Sequence, residues 1–330
     1  MSAEESEKEE EEVVPPKYMT HELIKENLSQ VGKTYDGNSV ALMTLNLSGK
    51  EVWDLHPELS SYKHLRYIDL SGNKLPAIDD LQKIPHVLTL NASSNEITSM
   101  LAFNVNTAFQ FLQFLDLSSN KIGFLTGLEL PSLVKFNLQK NQIANMDGFD
   151  GLPNLKTLNL KGNKLVNALG LKNMPLLETL DMSKNEITAI NHLENVPKLR
   201  EINLSVNKIV EFPEYYLPTL PSISSINLDK NAFEKLDEVK KLLFYPTLKT
   251  LTVIGCPMGE EIDALKKEVL ILMQDLEHIN GEPVDKEERD DAIEECKERE
   301  RLAEEARKEA EEARLEAERQ AEEERLEAER

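Results

Sequence analysis

An α/β solenoid is the fold class this sequence predicts, and three observations carry that reading. One phrase, Leu-x-x-Leu-x-Leu-x-x-Asn-x-Ile, recurs ten times within residues 42–258. Its asparagines, Asn73, Asn95, Asn120, Asn141, Asn163, Asn185, Asn207 and Asn231, fall mostly 22 residues apart. A second apolar pattern, in steps of three, fills the rest of each unit. A fixed period of this length marks small units that bury their apolar faces only against one another. The spelling is that of leucine-rich repeats. The expected architecture is a horseshoe of about ten 22-residue units with helical caps, followed by a long charged C-terminal helix.

The chain opens with a charge-rich segment, residues 1–17, which contains Pro15-Pro16 and is expected to be disordered. Residues 18–41 are expected to cap the solenoid. Thr20 is a good N-cap, and Leu23, Ile24, Leu28 and Val31 follow at helical spacing, so the pattern predicts a helix over 20–31.

The repeats start at Leu42, Leu65, Val87, Leu112, Leu133, Leu155, Leu177, Leu199, Ile223 and Leu248. In Leu158-Asn159-Leu160 the alternation is that of a short strand, apolar inward and polar outward. The chain must then turn with backbone groups left inside, and the asparagine amide offers both donors and an acceptor to satisfy them. Lys50 in the first unit and Cys256 in the last take the asparagine place, as expected of terminal repeats. Past the asparagine, steps of three such as Ile187, Ile190, Leu193 and Val196, or Ile143, Met146, Phe149 and Leu152, suit a tight 3₁₀-like turn. Prolines at 85, 131, 153, 175, 197 and 221 stand just before the next strand and help end those turns.

Residues 259–284 read as a second cap. Ile262, Leu265, Val269, Leu272 and Leu276 give a helix over 260–278 one apolar face, and the cap closes near Gly281. Asp285, with Glu288 three positions on, signals a fresh helix start. From there to Arg330 there is neither Gly nor Pro, which allows a rod of roughly 65 Å. Ala303, Ala306, Ala310, Ala313 and Ala317 form a heptad seam, but alanine buries little area, so self-pairing should be weak. Pairs such as Glu304–Lys308 and Arg307–Glu311 support a lone helix, and a coiled coil with a partner stays open beside it. Either way residues 285–330 are expected to dock partners and to stand apart from the repeat core.

The formal net charge is −22, and it is uneven. Residues 1–12 hold seven acids and one lysine; residues 285–330 hold 21 acids and 11 bases. So acidic a chain is a poor general binder of nucleic acid. The first residues lack the apolar stretch of a signal peptide, and the aliphatic run 269–273 is far too short to span a bilayer. Two cysteines, Cys256 and Cys296, suit reduced thiols. An intracellular, soluble protein without membrane contact is expected.

No active site is legible. Gly32-Lys33-Thr34 ends like a phosphate-binding loop, but Asn27 stands where its first glycine belongs. The six histidines, His21, His56, His64, His86, His192 and His278, show no metal spacing, and the cluster from Asp285 to Asp291 lacks the glycine of a calcium loop. No cofactor is expected. Two surfaces stand out instead. One is the concave strand face, whose middle column includes Asn91, Asp116, Asn137, Asn159, Asp181, Asn203 and Asn227, beside a column of Ser48, Ser71, Ser93, Ser118, Gln139, Lys161, Ser183, Ser205 and Asp229. Small polar side chains there either admit a partner helix or extended segment closely, or bond locally to the backbone. The other is the turn edge, where Lys74, Lys121, Lys140, Lys164, Lys184, Lys208 and Lys230 flank the asparagines. Stacking makes these a basic ridge, read either as ordinary solubilising lysine or as a seat for an acidic protein surface.

The flanks carry a resemblance. Met19-Thr20-His21-Glu22-Leu23-Ile24-Lys25-Glu26-Asn27-Leu28, Val31-Gly32-Lys33-Thr34 and Tyr62-Lys63-His64-Leu65-Arg66-Tyr67-Ile68-Asp69-Leu70 are similar to the start of the leucine-rich-repeat subunit of axonemal radial spokes in motile cilia and flagella. The order of parts also resembles that subunit. At the cap the chain departs from the pattern: Cys256-Pro257 and Ile262-Asp263-Ala264-Leu265 stand where many relatives have Asn-Pro and a Tyr-x-x-Arg start. The resemblance implies a non-enzymatic architectural protein of the axonemal cytoskeleton that binds other spoke or axonemal proteins and supports motility. The alternatives are another axonemal adaptor and a regulatory adaptor of the protein-phosphatase type. Such an adaptor should carry aromatic and acidic hot spots on the concave face, and the two columns read above hold few.

Overall fold

The structure, a computed structural model, describes residues 17–104, 108–125, 127–145, 152–190, 193, 195–212, 220–258 and 262–328. The acidic residues 1–16, together with Met146, Phe149, His192 and Glu260, lie outside the described residues.

Helix α1 spans His21–Glu26. Thr20 caps it, its hydroxyl accepting from the Leu23 N–H at 3.2 Å. The expectation of a helix over 20–31 fails after this one turn and a half. Leu28–Lys33 is a strand, β1, antiparallel to β2 at Val40–Asn46. Spacing of three and four over so few positions did not distinguish a helix from a hairpin arm. The open edge of β2 decides it by offering a ladder of backbone partners, and Gly32 permits the close approach. A Cβ at Gly32 would lie 2.8 Å from Cγ of Met43.

Nine short parallel strands follow: β3 Tyr67–Asp69, β4 Thr89–Asn91, β5 Phe114–Asp116, β6 Lys135–Asn137, β7 Thr157–Asn159, β8 Thr179–Asp181, β9 Glu201–Asn203, β10 Ser225–Asn227 and β11 Thr250–Thr252. With β1, β2 and the cap strands β12 (His278–Ile279) and β13 (Glu282–Pro283) they form, among the described residues, one sheet of 13 strands in sequence order. The sheet is parallel from β2 to β12 and antiparallel at each end. Both edges are blunted. Gln30 on β1 takes φ of 56° and drops out of the pairing, and β13 ends in Pro283.

The three leucines of each phrase are buried: Leu155, Leu158 and Leu160 are at most 1% exposed. One apolar core runs from Met19 to Ala292. Each phrase asparagine then closes the turn. The Asn163 side chain donates to the Leu138 and Leu160 carbonyls at 3.0 and 2.9 Å and accepts from the Ile143 N–H at 3.1 Å. It thus joins two units, and the same pattern recurs at Asn73, Asn95, Asn120, Asn141, Asn185, Asn207 and Asn231. Cys256 replaces one of these donors, its thiol 3.5 Å from the Leu228 carbonyl oxygen.

The convex side is less regular than its steps of three suggest. Tight 3₁₀ turns occur at Pro57–Ser61, Asp79–Lys83, Leu101–Phe103 and Lys241–Phe244, the last preceded by a single helical turn, α2, at Asp237–Lys240. The middle repeats show no helical element among the described residues.

The C-terminal cap holds helix α3, Ile262–Leu272, which is shorter than the 260–278 expected because residues beyond it turn back into β12. Asn280 and Gly281, with φ of 56° and 84°, make the two-residue turn to β13. Helix α4 then runs 43 residues, Lys286–Ala328, about 65 Å. Its start is a reciprocal cap: Glu288 N–H to Asp285 at 2.8 Å and Asp285 N–H to Glu288 at 3.1 Å. The expected division at residue 284 corresponds to no break in packing. Ala292 is buried, Arg289 donates to the carbonyls of Gln274 and Leu276, and ion pairs Lys266–Glu288, Lys267–Glu295 and Glu268–Arg299 tie α4 to α3. From residue 300 to 321 the helix is exposed all round, the alanine seam included.

Candidate protein-binding face

Strand pairing puts the middle column in one row. Asn46, Asp69, Asn91, Asp116, Asn137, Asn159, Asp181, Asn203, Asn227 and Thr252 are register partners from β2 to β11. Every member but the last makes the same local bond, its side-chain oxygen accepting the N–H two residues on. Asn159 takes that of Lys161 at 3.0 Å and Asp181 that of Ser183 at 2.9 Å. Lateral bonds add to this: Asn137 donates to Asp116 at 2.9 Å and Asn159 to Gln139 at 3.3 Å. The column is therefore a row of half-buried turn caps, presenting a smooth, hydrogen-bonded surface. Its neighbouring column ends in Asp229, whose carboxylate accepts the Ile254 N–H at 2.8 Å and whose pKa burial pushes up.

The column one residue before each buried strand leucine was not among the surfaces read from the sequence. It runs Thr44, Tyr67, Thr89, Phe114, Lys135, Thr157, Thr179, Glu201, Ser225 and Thr250. Tyr67 and Phe114 are 43% and 38% exposed, and Lys135 Nζ lies 5.7 Å from the Phe114 ring centre. Exposed aromatic residues, few on the two columns read from the sequence, thus stand on a third. The signal was present in the repeat phrase, where aromatic residues replace threonine at this one position.

The lysines of the turn edge form two files. Lys140, Lys184 and Lys230 occupy the left-handed turn position before the asparagine, with φ of 53–56°. Lys74, Lys121, Lys164 and Lys208 follow the asparagine, but Glu96 and Glu186 share that file. Lys121 pairs with Glu96 at 2.8 Å and Lys208 with Glu186 at 2.7 Å. The Lys208 ammonium holds the Glu186 carboxyl below its ordinary range. Lys74 lies 5.0 Å over the Trp53 ring. Lysine and glutamate thus alternate in the file after the asparagine, while the file before it carries lysines and no acid.

No group of three His, Cys, Asp or Glu side chains suited to a metal occurs among the described residues, and no described helix is long and apolar enough to cross a membrane.

A parallel ladder closed by buried asparagines, with an open concave row of side chains, defines a leucine-rich-repeat protein. The family model described as "Leucine-rich repeat" matches residues 166–310, and related repeat models match 131–173 and 110–123. Leucine-rich repeat-containing protein 23 of Bos taurus is 32% identical over 276 residues, 84% of this chain and 79% of that protein. The Homo sapiens protein is 32% identical over 277 residues, with the same coverage. The chain belongs to this leucine-rich-repeat family. Among solved structures, an internalin from Listeria monocytogenes aligns with a TM-score of 0.52 at 18% identity, over 73% of this chain and 76% of that one. A chain of the LRIM1/APL1C complex aligns at 0.57 and 21%, over 67% of this chain and 40% of that one. These two share the fold.

Proposed function

We propose that this protein is a non-enzymatic architectural subunit of the axonemal radial spoke, holding partner proteins on its concave face in support of ciliary or flagellar motility. The observation that carries the binding part is the continuous concave row of register partners from β2 to β11. The spoke assignment rests on the resemblance of the flanking segments, residues 19–34 and 62–70, to the spoke subunit. Its test is localisation of a tagged copy in ciliated cells with detergent-extracted axonemes. Retention in the axoneme, lost when spokes are absent, is the expected result; a cytosolic or nuclear pool untouched by spoke loss sinks the assignment.

A second reading, the phosphatase-type adaptor, gains from Tyr67 and Phe114, aromatic residues exposed on the concave face. Recovery of a protein phosphatase on the immobilised chain, in place of axonemal proteins, would favour it.

A further inference from the structure

The N-terminal third of the concave face differs from the rest. Three exposed or half-exposed rings meet at its entry edge: Tyr35, from the β1–β2 loop, stacks on His86 at 4.6 Å and 7°, and Phe111 lies 5.7 Å from His86 and 6.2 Å from Tyr35. The loop of one hairpin thus reaches the strand-entry edge two and three repeats further on. Inward from this edge stand Leu88, then Tyr67 and Phe114 on the exposed column, with Arg66 and Lys135 among them. Tyr35 is 68% exposed and Phe111 42%.

The charge of this patch is opposite in sign to that of the chain, whose net value is −22. On the two columns nearest the entry edge, Arg66, Lys135 and Lys156 precede the first acid, Glu178. The acids beside the patch keep their negative charge but turn their oxygens to local donors. Asp69 accepts from the Ser71 N–H and hydroxyl, Asp116 from the Ser118 N–H and hydroxyl and from Asn137, and Asp36 from Thr34 and Asn38 within its own loop. Burial, then the neighbouring His64 and Arg66, push the His86 pKa down, and the positive charge of the patch is carried by the arginine and lysines.

We propose that this patch, Tyr35, Arg66, Tyr67, His86, Phe114 and Lys135, docks an acidic segment of another protein that carries two apolar anchors. Tyr67 and Phe114 are two strands apart, and strands are about 4.8 Å apart, so the anchors fall about 10 Å from each other. Aromatic side chains take the anchors, and the cations meet the acids that flank them. A polynucleotide also seeks rings and cations, but its continuous charge meets the field of the whole acidic chain, while a short acidic peptide meets only the local one. The proposal rests on the reading of the concave face as protein-binding, and names the chemistry of what binds there.

The test uses the purified full chain and a labelled helical peptide of glutamate and alanine with two tryptophans about seven residues apart, about 10 Å along the helix. Fluorescence anisotropy should show saturable binding. Tyr67→Thr with Phe114→Thr installs the residue that neighbouring repeats carry at this position, so the fold is kept. It should weaken binding about tenfold or more, the scale of losing aromatic anchors. Arg66→Glu with Lys135→Glu should weaken it comparably, and a peptide with alanine for tryptophan should bind no better than the variants do. Equal binding by parent and variants overturns the proposal. So does absence of binding, or an oligothymidylate of matched length binding as tightly as the peptide. Because the assay contains no axonemal component, its failure leaves the spoke assignment standing, and failure of axonemal localisation leaves this result standing.

Discussion

The carboxylate of Glu268 on α3 grips the guanidinium of Arg299 on α4 with both oxygens, at 2.9 and 2.8 Å, across 31 positions of sequence. The pair marks the place where the long helix leaves the cap. It is partly exposed, so Arg299→Ala should cost only about 0.5–1 kcal/mol. A truncation after Val284 also removes buried Ala292 and the Arg289 bonds to the Gln274 and Leu276 carbonyls, and should lower the thermal midpoint by about 4 °C or more. A truncation after Arg301 should leave it unchanged. Matching melts for the two truncations would show that α4 contributes nothing to the cap.

Acid should loosen this joint before it loosens the repeats. Hydrogen bonds from Arg299 hold the Glu268 carboxyl below its ordinary range, and those from Lys267, then Arg299, do the same for Glu295. A depressed folded pKa contributes stability that is complete above the unfolded value, about 4.3, and is lost as pH falls through the lower folded one. Hydrogen-exchange protection factors, corrected for the intrinsic rate at each pH, should therefore fall over residues 286–299 between about pH 6 and about pH 3, with those of the strand amides near Leu158 little changed. Glu268→Gln should reduce the acid-dependent part. A uniform response along the chain contradicts this.

The two asparagines of one repeat should behave differently. Asn163 is buried and joins two units through three bonds, so Asn163→Ala should cost about 1–3 kcal/mol. Asn159 is half-buried and caps a turn from the concave side, and Asn159→Ala should cost about 1 kcal/mol or less. Paired denaturant titrations decide it, and equal midpoints for the two variants would refute the distinction.

Bulky charge at the centre of the concave row should block partners while the fold survives. Asn159→Arg with Asp181→Arg places two long side chains at register partners on β7 and β8. The double variant should fail to recover axonemal proteins from extract while its circular dichroism stays that of the parent. Undiminished recovery would move the binding surface elsewhere.

The repeat architecture was legible because its cause is periodic: Asn163 is buried for the same reason as Asn73 and Asn231, and eight copies speak together. The reciprocal cap of Asp285 and Glu288 was legible because both partners lie within one turn. What stayed hidden depends on contacts distant in sequence. Leu28 and Val31 have helical spacing, yet their strand is dictated by the unpaired edge of β2. Arg299 reads as one more charge in a solvated rod until α3 brings Glu268 beneath it. Tyr35 meets His86 across 51 positions, and nothing in either neighbourhood announces the other.

Beyond the Glu268–Arg299 pair, α4 continues for roughly 40 Å. A shaft held only at its root is a lever. A sideways pull at the far end arrives at the root as torque, borne by the three lysine and arginine pairs there and by the socket around Ala292. Salt screens the more exposed of these pairs, so higher ionic strength should soften the root of the helix before it affects the repeats.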